Sequence, residues 1–481
     1  MTAYAEAAAM RADRAPEAQF CEDPAAFFDN SYTAMQSLPR PALADLQLAG
    51  LRLRFTQLRD RIPVLKRLAD AQGVERIDTL HDIVPLLFEH TMYKSYPPSL
   101  IEKGRFSDIC RWLSRLLAFD LSNIDVSGCT CIDDWVAVMD EQSPLTLLLS
   151  SGTTGTMSLM PVSKSEYDKF GRLLRVTSLQ RFGEEWDSRD AAQIYCIYPY
   201  FRYGASAHLR TNDLVAKYIA GCEERLFTIY PGKVSSDVLF LAARMRAAQN
   251  RGDLDRLKIP PHLLQRKEEY EQLQREMPRH LDVFFEEVVP KLRGKRIFTQ
   301  STWNLLGGLA QKGLEKGFSN TFAPNSIVGA GGGAKGMEPS DDWMDLVRRF
   351  VGVDHIDHSY GTGEILGLHK MCVHGRYHFA PWVIPFLLDS ETSKPLPRVG
   401  VVTGRVAFFD LGAETRWGGF VTGDEVTIDW SEFCPCGQES HFMHGDIRRF
   451  SENRGGDDKI SCAATEGAHR DAVDFLNRFD A

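Results

Sequence analysis

Residues 147–156 read LLLSSGTTGT. An apolar run, Leu147-Leu148-Leu149, gives way to Ser150 and Ser151 and then to Gly152-Thr153-Thr154-Gly155. The run has the composition of a buried strand, whereas the residues after it have almost no side chain to pack. What such a loop offers is backbone N–H groups, hydroxyls and glycines that let the backbone approach a ligand. A polyphosphate suits those groups; a surface linker uses the same residue types. The stretch lacks the G-K-[ST] ending of a Walker A loop, so nucleotide-hydrolase chemistry of that kind has no support.

The chain around it has 481 residues, 43% hydrophobic and 25% charged, enough for a large core and more than one domain. Its net charge of −9 and the lack of a Lys/Arg run argue against nucleic acid as a partner. The first residues carry Arg11, Arg14, Glu17 and Glu22 but no apolar stretch, unlike a signal peptide or membrane anchor. No apolar run reaches the ~18 residues a spanning helix needs. The ten cysteines form no compact secreted framework and read as reduced thiols and metal ligands. A soluble, cytoplasmic protein with no membrane partner is the expectation.

Residues 1–140 read as a mainly helical region. LADLQLAGLRLRFTQLRDRIPVLKRLADAQG keeps helical apolar spacing up to Gly73, and FSDICRWLSRLLAF is a second such segment. Residues 141–450 alternate short apolar runs (TLLLS, AAQIYCIYPYF, RLFTIYP, RIFTQST, SIVGAGGG, GRVAFFDL) with helical stretches, which predicts an α/β core with partly parallel sheets. Within it, 261–290 reads as a charged amphipathic surface helix. Residues 451–481 read as a hinge and a short helical remnant.

The opening loop is followed in order by GAGGGAK (329–335), SYGTGE (359–364), FVTGD (420–424) and RGGDDKI (454–460). In this order the motifs resemble those of the adenylate-forming (acyl-activating, ANL) enzyme superfamily. Within it the chain is similar to the phenylacetate–CoA ligase branch and to the acyl-protein synthetase of bacterial luciferase operons. The motifs span roughly residues 140–465. The resemblance implies a large α/β domain of layered sheets, with a helical N-terminal part and a small β-barrel-like part. It also implies ATP-dependent activation of a carboxylic acid as the acyl-adenylate, with pyrophosphate released. The acyl group would then pass to a thiol (CoA, a carrier pantetheine or a cysteine) or to an amine or hydroxyl, as in amide or ester synthetases of secondary metabolism. A non-catalytic nucleotide-binding protein is the competing reading.

The family motifs carry roles onto this chain residue by residue. Ser150, Ser151, Gly152, Thr153, Thr154 and Gly155 would hold the β- and γ-phosphates. Ser359, Tyr360 and Gly361 would line the nucleotide, Thr362 would touch the α-phosphate, and Glu364 would bind Mg²⁺, which favours oxygen ligands bridging phosphates. Asp424 would accept hydrogen bonds from the ribose hydroxyls. Gly331, Gly332, Gly333 and Ala334 would lie along adenine and the acyl pocket, and Lys335 would pair with the substrate carboxylate or a phosphate. In YPYFRYGASAHLR (198–210), Tyr200, Phe201, Tyr203 and His208 occupy the acid-pocket position. With Arg202 nearby they favour an aromatic acid, although such aromatic density also builds plain core.

CPCG (434–437) presents two thiols in a form suited to one metal, and KMCVHGRYHF supplies Cys372, His374 and His378 upstream. Relatives of the phenylacetate–CoA ligase type hold zinc at this place, which implies a Cys372, His378, Cys434, Cys436 set; His374, His441 and His444 are rivals for the nitrogen, and free thiols are the alternative. The family also has a C-terminal domain of about one hundred residues bearing a catalytic lysine. Here the chain runs only from Ile460 to Ala481, too short for such a domain. Luciferase-operon synthetases are similarly short and hold the acyl group on a cysteine near the C-terminus. Cys462 has that position, with Arg454 and Lys459 nearby to favour a thiolate. The acid, the acyl acceptor, a homodimer and a partner enzyme such as a reductase all stay open at this level.

Overall fold

The computed structural model describes residues 14–150, 156–180, 194–332, 342–449, 470 and 472–474. The segment expected as one helical stretch up to Gly73 folds as two helices, Arg40–Leu58 and Pro63–Gln72. Pro63 explains the break: it has no N–H to give and its ring clashes inside a helix, so it opens the second one. Gly73 ends that helix in the left-handed conformation, φ +66°. The second expected segment forms Phe106–Ser114. The 261–290 helix is interrupted, as Pro261–Gln265 and Lys267–Val283, and runs on through a π turn at Phe284–Val288.

Fifteen strands are described. In chain order they are β1 (Phe88–Glu89), β2 (Leu145–Ser150), β3 (Ser158–Ser163), β4 (Tyr195–Tyr203), β5 (Leu226–Lys233), β6 (Ile297–Thr302), β7 (Ile327–Gly331) and β8 (Asp357–Tyr360). Then follow β9 (His369–Met371), β10 (Arg376–His378), β11 (Val383–Leu388), β12 (Val401–Asp410), β13 (Gly419–Asp429), β14 (Phe442–His444) and β15 (Arg448–Arg449). Thirteen join in one sheet, with the path β11-β12-β13-β14-β10-β9-β8-β7-β6-β4-β5 and with β1 and β15 attached to β13. From β8 to β5 the pairs are parallel, and from β9 to β11 they are antiparallel. Helices such as Ser236–Arg251 and Trp303–Glu315 connect the parallel strands, as crossover geometry requires. The architecture is therefore mixed α/β, with thirteen of the described strands joined in one hydrogen-bonded path.

β2 and β3 form a separate antiparallel pair. Both faces of β2 are covered, which explains three leucines in a row. Leu145, Leu147 and Leu149 enter a cluster with Trp135 and Phe106, while Leu148 points the other way into the main core with Met160 and Val162. Burying each leucine contributes about 1.5–3 kcal/mol. The strand therefore delivers Ser150, which is exposed, from a rigid base.

Among the described residues, no helix is long and apolar enough to cross a membrane. Arg470 and Ala472–Asp474 are helical, with Ala472 and Val473 buried against Val238, Leu241 and Tyr270.

Candidate functional site

Three of the sequence motifs meet where parallel strands end. β7 and β8 are parallel neighbours, with Gly331 opposite Ser359. A Cβ on Gly331 would lie 3.1 Å from the Ser359 carbonyl oxygen, so only glycine lets these two segments close up without a shift. Gly332 follows with φ +86°. β2 arrives from another direction: the Leu149 amide donates to the Ala205 carbonyl at 2.8 Å, and Leu149 bridges Ser206, the residue that opens the helix Ala207–Leu214 carrying His208. A Cβ on Gly363 would be 3.8 Å from that of Ala207. The end of β2, the helix bearing His208 and the loop of SYGTGE are therefore close neighbours.

Asp424 reaches the same place because β13 bulges. Arg405 pairs with Glu425 and Ala407 with Val421, so Val406 alone faces Thr422, Gly423 and Asp424. Bulges of this kind re-aim side chains. The Thr422 hydroxyl fastens it, donating to the Val406 carbonyl at 2.7 Å and accepting the Asp424 amide at 3.0 Å. The Asp424 carboxylate accepts the Tyr360 hydroxyl at 2.7 Å and pairs with Arg449 at 3.2 Å. Burial, reinforced by Asp424, pushes the Tyr360 phenol well above its usual range, so it stays a donor. Two of the carboxylate's roughly four acceptor positions are used, and the rest remain for a ligand. His369 stacks behind Tyr360 at 6.0 Å and 16°.

The loop after Tyr360 is held tightly. Leu366 donates its amide to Asp410 at 2.9 Å and accepts the Trp382 indole N–H at 2.9 Å. Asp410 in turn pairs with Arg416 at 3.1 Å; Asp410 is 0% and Arg416 1% exposed. Glu166 lies on the other side of Arg416, at 3.8 Å, and accepts the amides of Ser163, Glu414 and Thr415. Burial opposes the charge on Arg416, but Glu166 and Asp410 outweigh it and keep its guanidinium above the usual range. Glu364, half-buried, stands two residues before this doubly fastened leucine. The Tyr93 phenol, pushed up to about 12 by burial, lies within electrostatic reach of Arg416 and Glu364. The Thr362 hydroxyl oxygen is shielded from solvent and makes no hydrogen bond, an unspent donor on the same loop.

The aromatic candidates separate. Tyr200 and Phe201 pack with Tyr230 of β5, with ring centroids 6.2 and 4.8 Å away, and Phe201 is 0% exposed. Tyr203 is 47% exposed and lies under Arg202. Arg202 does not aim at an acid pocket: Glu223 takes it bidentately at 2.6 and 2.8 Å, and Asp213 adds a bond at 2.9 Å. The ring that meets His208 is instead Tyr198, at 5.7 Å. Ser151, Gly152, Thr153, Thr154, Gly155, Gly333, Ala334, Lys335 and Cys462 lie outside the described residues.

The sulfur site is complete. The ligand atoms of Cys372, His378, Cys434 and Cys436 all lie within 4.8 Å of one another. Cys372 and Cys434 sulfurs are 3.7 Å apart, and Cys436 Sγ is 3.2 Å from His378 Nε2. A tetrahedron with Zn–S near 2.3 Å has edges of about 3.8 Å, so the set is compatible with zinc. Two knuckles build it. Gly375 donates its amide to Cys372 and Gly437 to Cys434, each at 3.0 Å, and both glycines have positive φ, 69° and 84°. The Ser440 hydroxyl donates to Gln36 at 2.9 Å, so its oxygen accepts from His378 Nδ1 at 3.0 Å, which leaves Nε2 as the ligating nitrogen. Burial opposes ionisation of Cys434, but hydrogen bonds from Cys436, Cys372 and Arg376 outweigh it and hold the thiol below the usual range. Burial and the neighbouring thiols push Cys436 up to about 12. Gln36 and Ser440 were not legible in the sequence; the repeated Cys-x-x-Gly spacing was.

No known family profile matches the chain, and no curated protein matches it. Solved structures do match in fold. The chain is similar to 2-hydroxyisobutyryl-CoA ligase in complex with 2-HIB-AMP and CoA in the thioesterification state: TM-score 0.52, 11% identity, 87% of this chain and 70% of that one covered. An open conformation of the same enzyme with 2-HIB-AMP and CoA matches with TM-score 0.51 at 10% identity, over 86% of this chain and 71% of that one. Its postadenylation state with R3-HIB-AMP also gives 0.51 at 10% identity, over 86% and 69%. The mixed α/β fold of this chain thus resembles that of 2-hydroxyisobutyryl-CoA ligase over most of its length.

Proposed function

We propose that the protein activates a carboxylic acid with ATP and Mg²⁺ as an acyl-adenylate, releases pyrophosphate, and passes the acyl group to an acceptor. The observation that carries this reading is the Tyr360–Asp424 contact. It joins the SYGTGE motif, at the end of β8 in the parallel part of the sheet, to the FVTGD motif within the antiparallel β13, and the ends of parallel strands are where open α/β sheets bind ligands. The ligase fold over most of the chain supports it.

The chemical difficulty is an anionic carboxylate attacking an anionic phosphate, so positioning and charge neutralisation dominate. In this reading the loop at 150–155 wraps the β- and γ-phosphates. Thr362 donates its unspent hydroxyl to the α-phosphate. Glu364 holds Mg²⁺, which neutralises phosphate charge when bound. Asp424 takes the ribose hydroxyls, with Tyr360 fixing its carboxylate. Lys335 neutralises the reacting carboxylate, and Tyr198 and His208 form one wall of the acid pocket, which favours an aromatic acid. The Cys₃His cluster holds a structural zinc that ties β10 to the loop after β13.

The acceptor is a thiol such as CoA, or an amine or hydroxyl. A second reading, acyl transfer to Cys462 for a partner enzyme, predicts an intact-mass adduct lost in Cys462→Ala. The deciding experiment is pyrophosphate release across a panel of acids, with products identified by mass spectrometry with and without CoA. Acid-dependent release is expected. No release with any acid, alongside retained ATP binding, would leave a nucleotide-binding protein in its place.

A further inference from the structure

The Arg40–Leu58 helix and the β11–β12 hairpin enclose a cavity of about 30 Å³, on which Arg40, Gln47, Phe379, Val383, Arg398 and His441 border. Three nitrogens in this neighbourhood are shielded from solvent and make no hydrogen bond: Arg398 Nη1, His441 Nδ1 and Trp430 Nε1. They are neighbours through ring contacts. The Arg398 guanidinium lies 4.5 Å over the Trp430 ring, and Trp430 meets His441 edge-on at 5.2 Å.

The acids here serve Arg40 and His441 rather than Arg398. Arg40 spends its guanidinium on the carbonyls of Glu439, Trp430 and Glu432. Glu439 and then Asp429 are the acids that act on Arg40, and Asp429 acts on His441 while committing its Oδ1 to the amides of Ser431 and Glu432. Among the described residues, no carboxylate pairs with Arg398. The side chain is half-buried, and burial pushes its guanidinium down to about 10, still charged at neutral pH. Its other ionisable neighbours are His81 and His441, both held below the usual histidine range, chiefly by burial. A half-buried cation with a shielded, unmade hydrogen bond and no paired carboxylate is unfavourable.

We propose that this cavity is a binding site for one small monovalent anion of halide size. Size sets the class: a water needs about 10–15 Å³ of such space, so the cavity takes one halide and excludes a nucleotide or an acyl carboxylate with its chain. Charge sets the valence, since Arg398 is the one uncompensated cation among the described lining residues. The anion would accept from Arg398 Nη1 and from the His441 ring N–H. It would link the helix to the hairpin beside Ser440, whose oxygen orients His378.

The test uses the full chain, first exchanged into gluconate and then titrated with chloride or bromide at constant ionic strength. A saturable rise in Tm is expected, about 2 °C at ten times the dissociation constant, and absent in Arg398→Gln. Crystals soaked in bromide should give an anomalous peak at Arg398 Nη1. This second measurement decides the matter if the variant does not fold. Equal stability in chloride and gluconate, a shift of equal size in Arg398→Gln, or water alone at the site in bromide-soaked crystals would each overturn the proposal.

Discussion

Tyr360 donates its phenolic hydrogen to Oδ2 of Asp424 at 2.7 Å, joining residues 64 positions apart. The bond fixes a carboxylate on a bulge and leaves part of its acceptor capacity open. If Asp424 receives the ribose hydroxyls, Asp424→Ala loses about 1.5–3 kcal/mol of charge-assisted bonding, and KM for ATP rises roughly 10- to 100-fold. Tyr360→Phe removes only the orienting bond and raises KM about 3- to 10-fold. Steady-state pyrophosphate release measures both; unchanged ATP dependence in the two variants would remove Asp424 from the site.

Asp410 and Arg416 anchor the loop that follows Glu364. Arg416→Met leaves Asp410 and Glu166 buried without their cation, and stability falls by about 3–5 kcal/mol in denaturant unfolding. Asp410→Asn loosens Leu366 and, through it, Glu364. Its expected signature is a higher Mg²⁺ requirement in the folded fraction. Lowered stability with an unaltered Mg²⁺ titration would limit Asp410 to a structural part.

The thiol cluster predicts one zinc per chain by elemental analysis of protein purified without chelator. Cys434→Ser and Cys436→Ser should lose the metal and lower Tm, because the binding energy is also folding energy. Ser440→Ala removes the acceptor of His378 Nδ1, together with the bond to Gln36, and should weaken zinc about 10- to 100-fold. Metal-free wild-type protein with an unchanged Tm would argue for free thiols.

His369 gives a pH dependence of defined sign. Its side chain is fully buried, and burial lowers its pKa to about 3. Nδ1 accepts the Ala380 amide at 3.2 Å, so the ring is neutral. The unfolded chain takes up the proton near pH 6.5 and the folded one does not. This contribution to stability is therefore complete above pH 6.5 and falls by about 1.4 kcal/mol per unit as pH drops from 6.5 towards 3. His369→Phe, less stable at pH 7 for want of the acceptor, should show a shallower acid limb; parallel limbs would assign the acid sensitivity to other groups.

Much of the site's composition was legible because it is written locally. Glycines at 331 and 332, a Thr-Gly-Asp run and two Cys-x-x-Gly knuckles each carry backbone demands that the residues alone express. The surroundings of the aromatic candidates were not legible. Tyr200, Phe201 and Tyr203 look alike in sequence, yet β4 packs the first two against Tyr230 and leaves Tyr203 exposed, and Arg202, which suggested an anionic substrate, is consumed by Glu223 and Asp213.

The sequence by itself determined the strand of LLLSSGTTGT and the alternation of strands and helices. These follow from spacing and backbone freedom within a few residues. Only the tertiary structure decided that Leu148 faces one core while Leu147 and Leu149 face another. It alone decided that a bulge turns Asp424 to Tyr360, that Gln36 reaches His378 through Ser440, and that Arg416 stands buried between Glu166 and Asp410. Each of these joins residues far apart in the chain, and their partnership depends on burial and register, which no local pattern encodes.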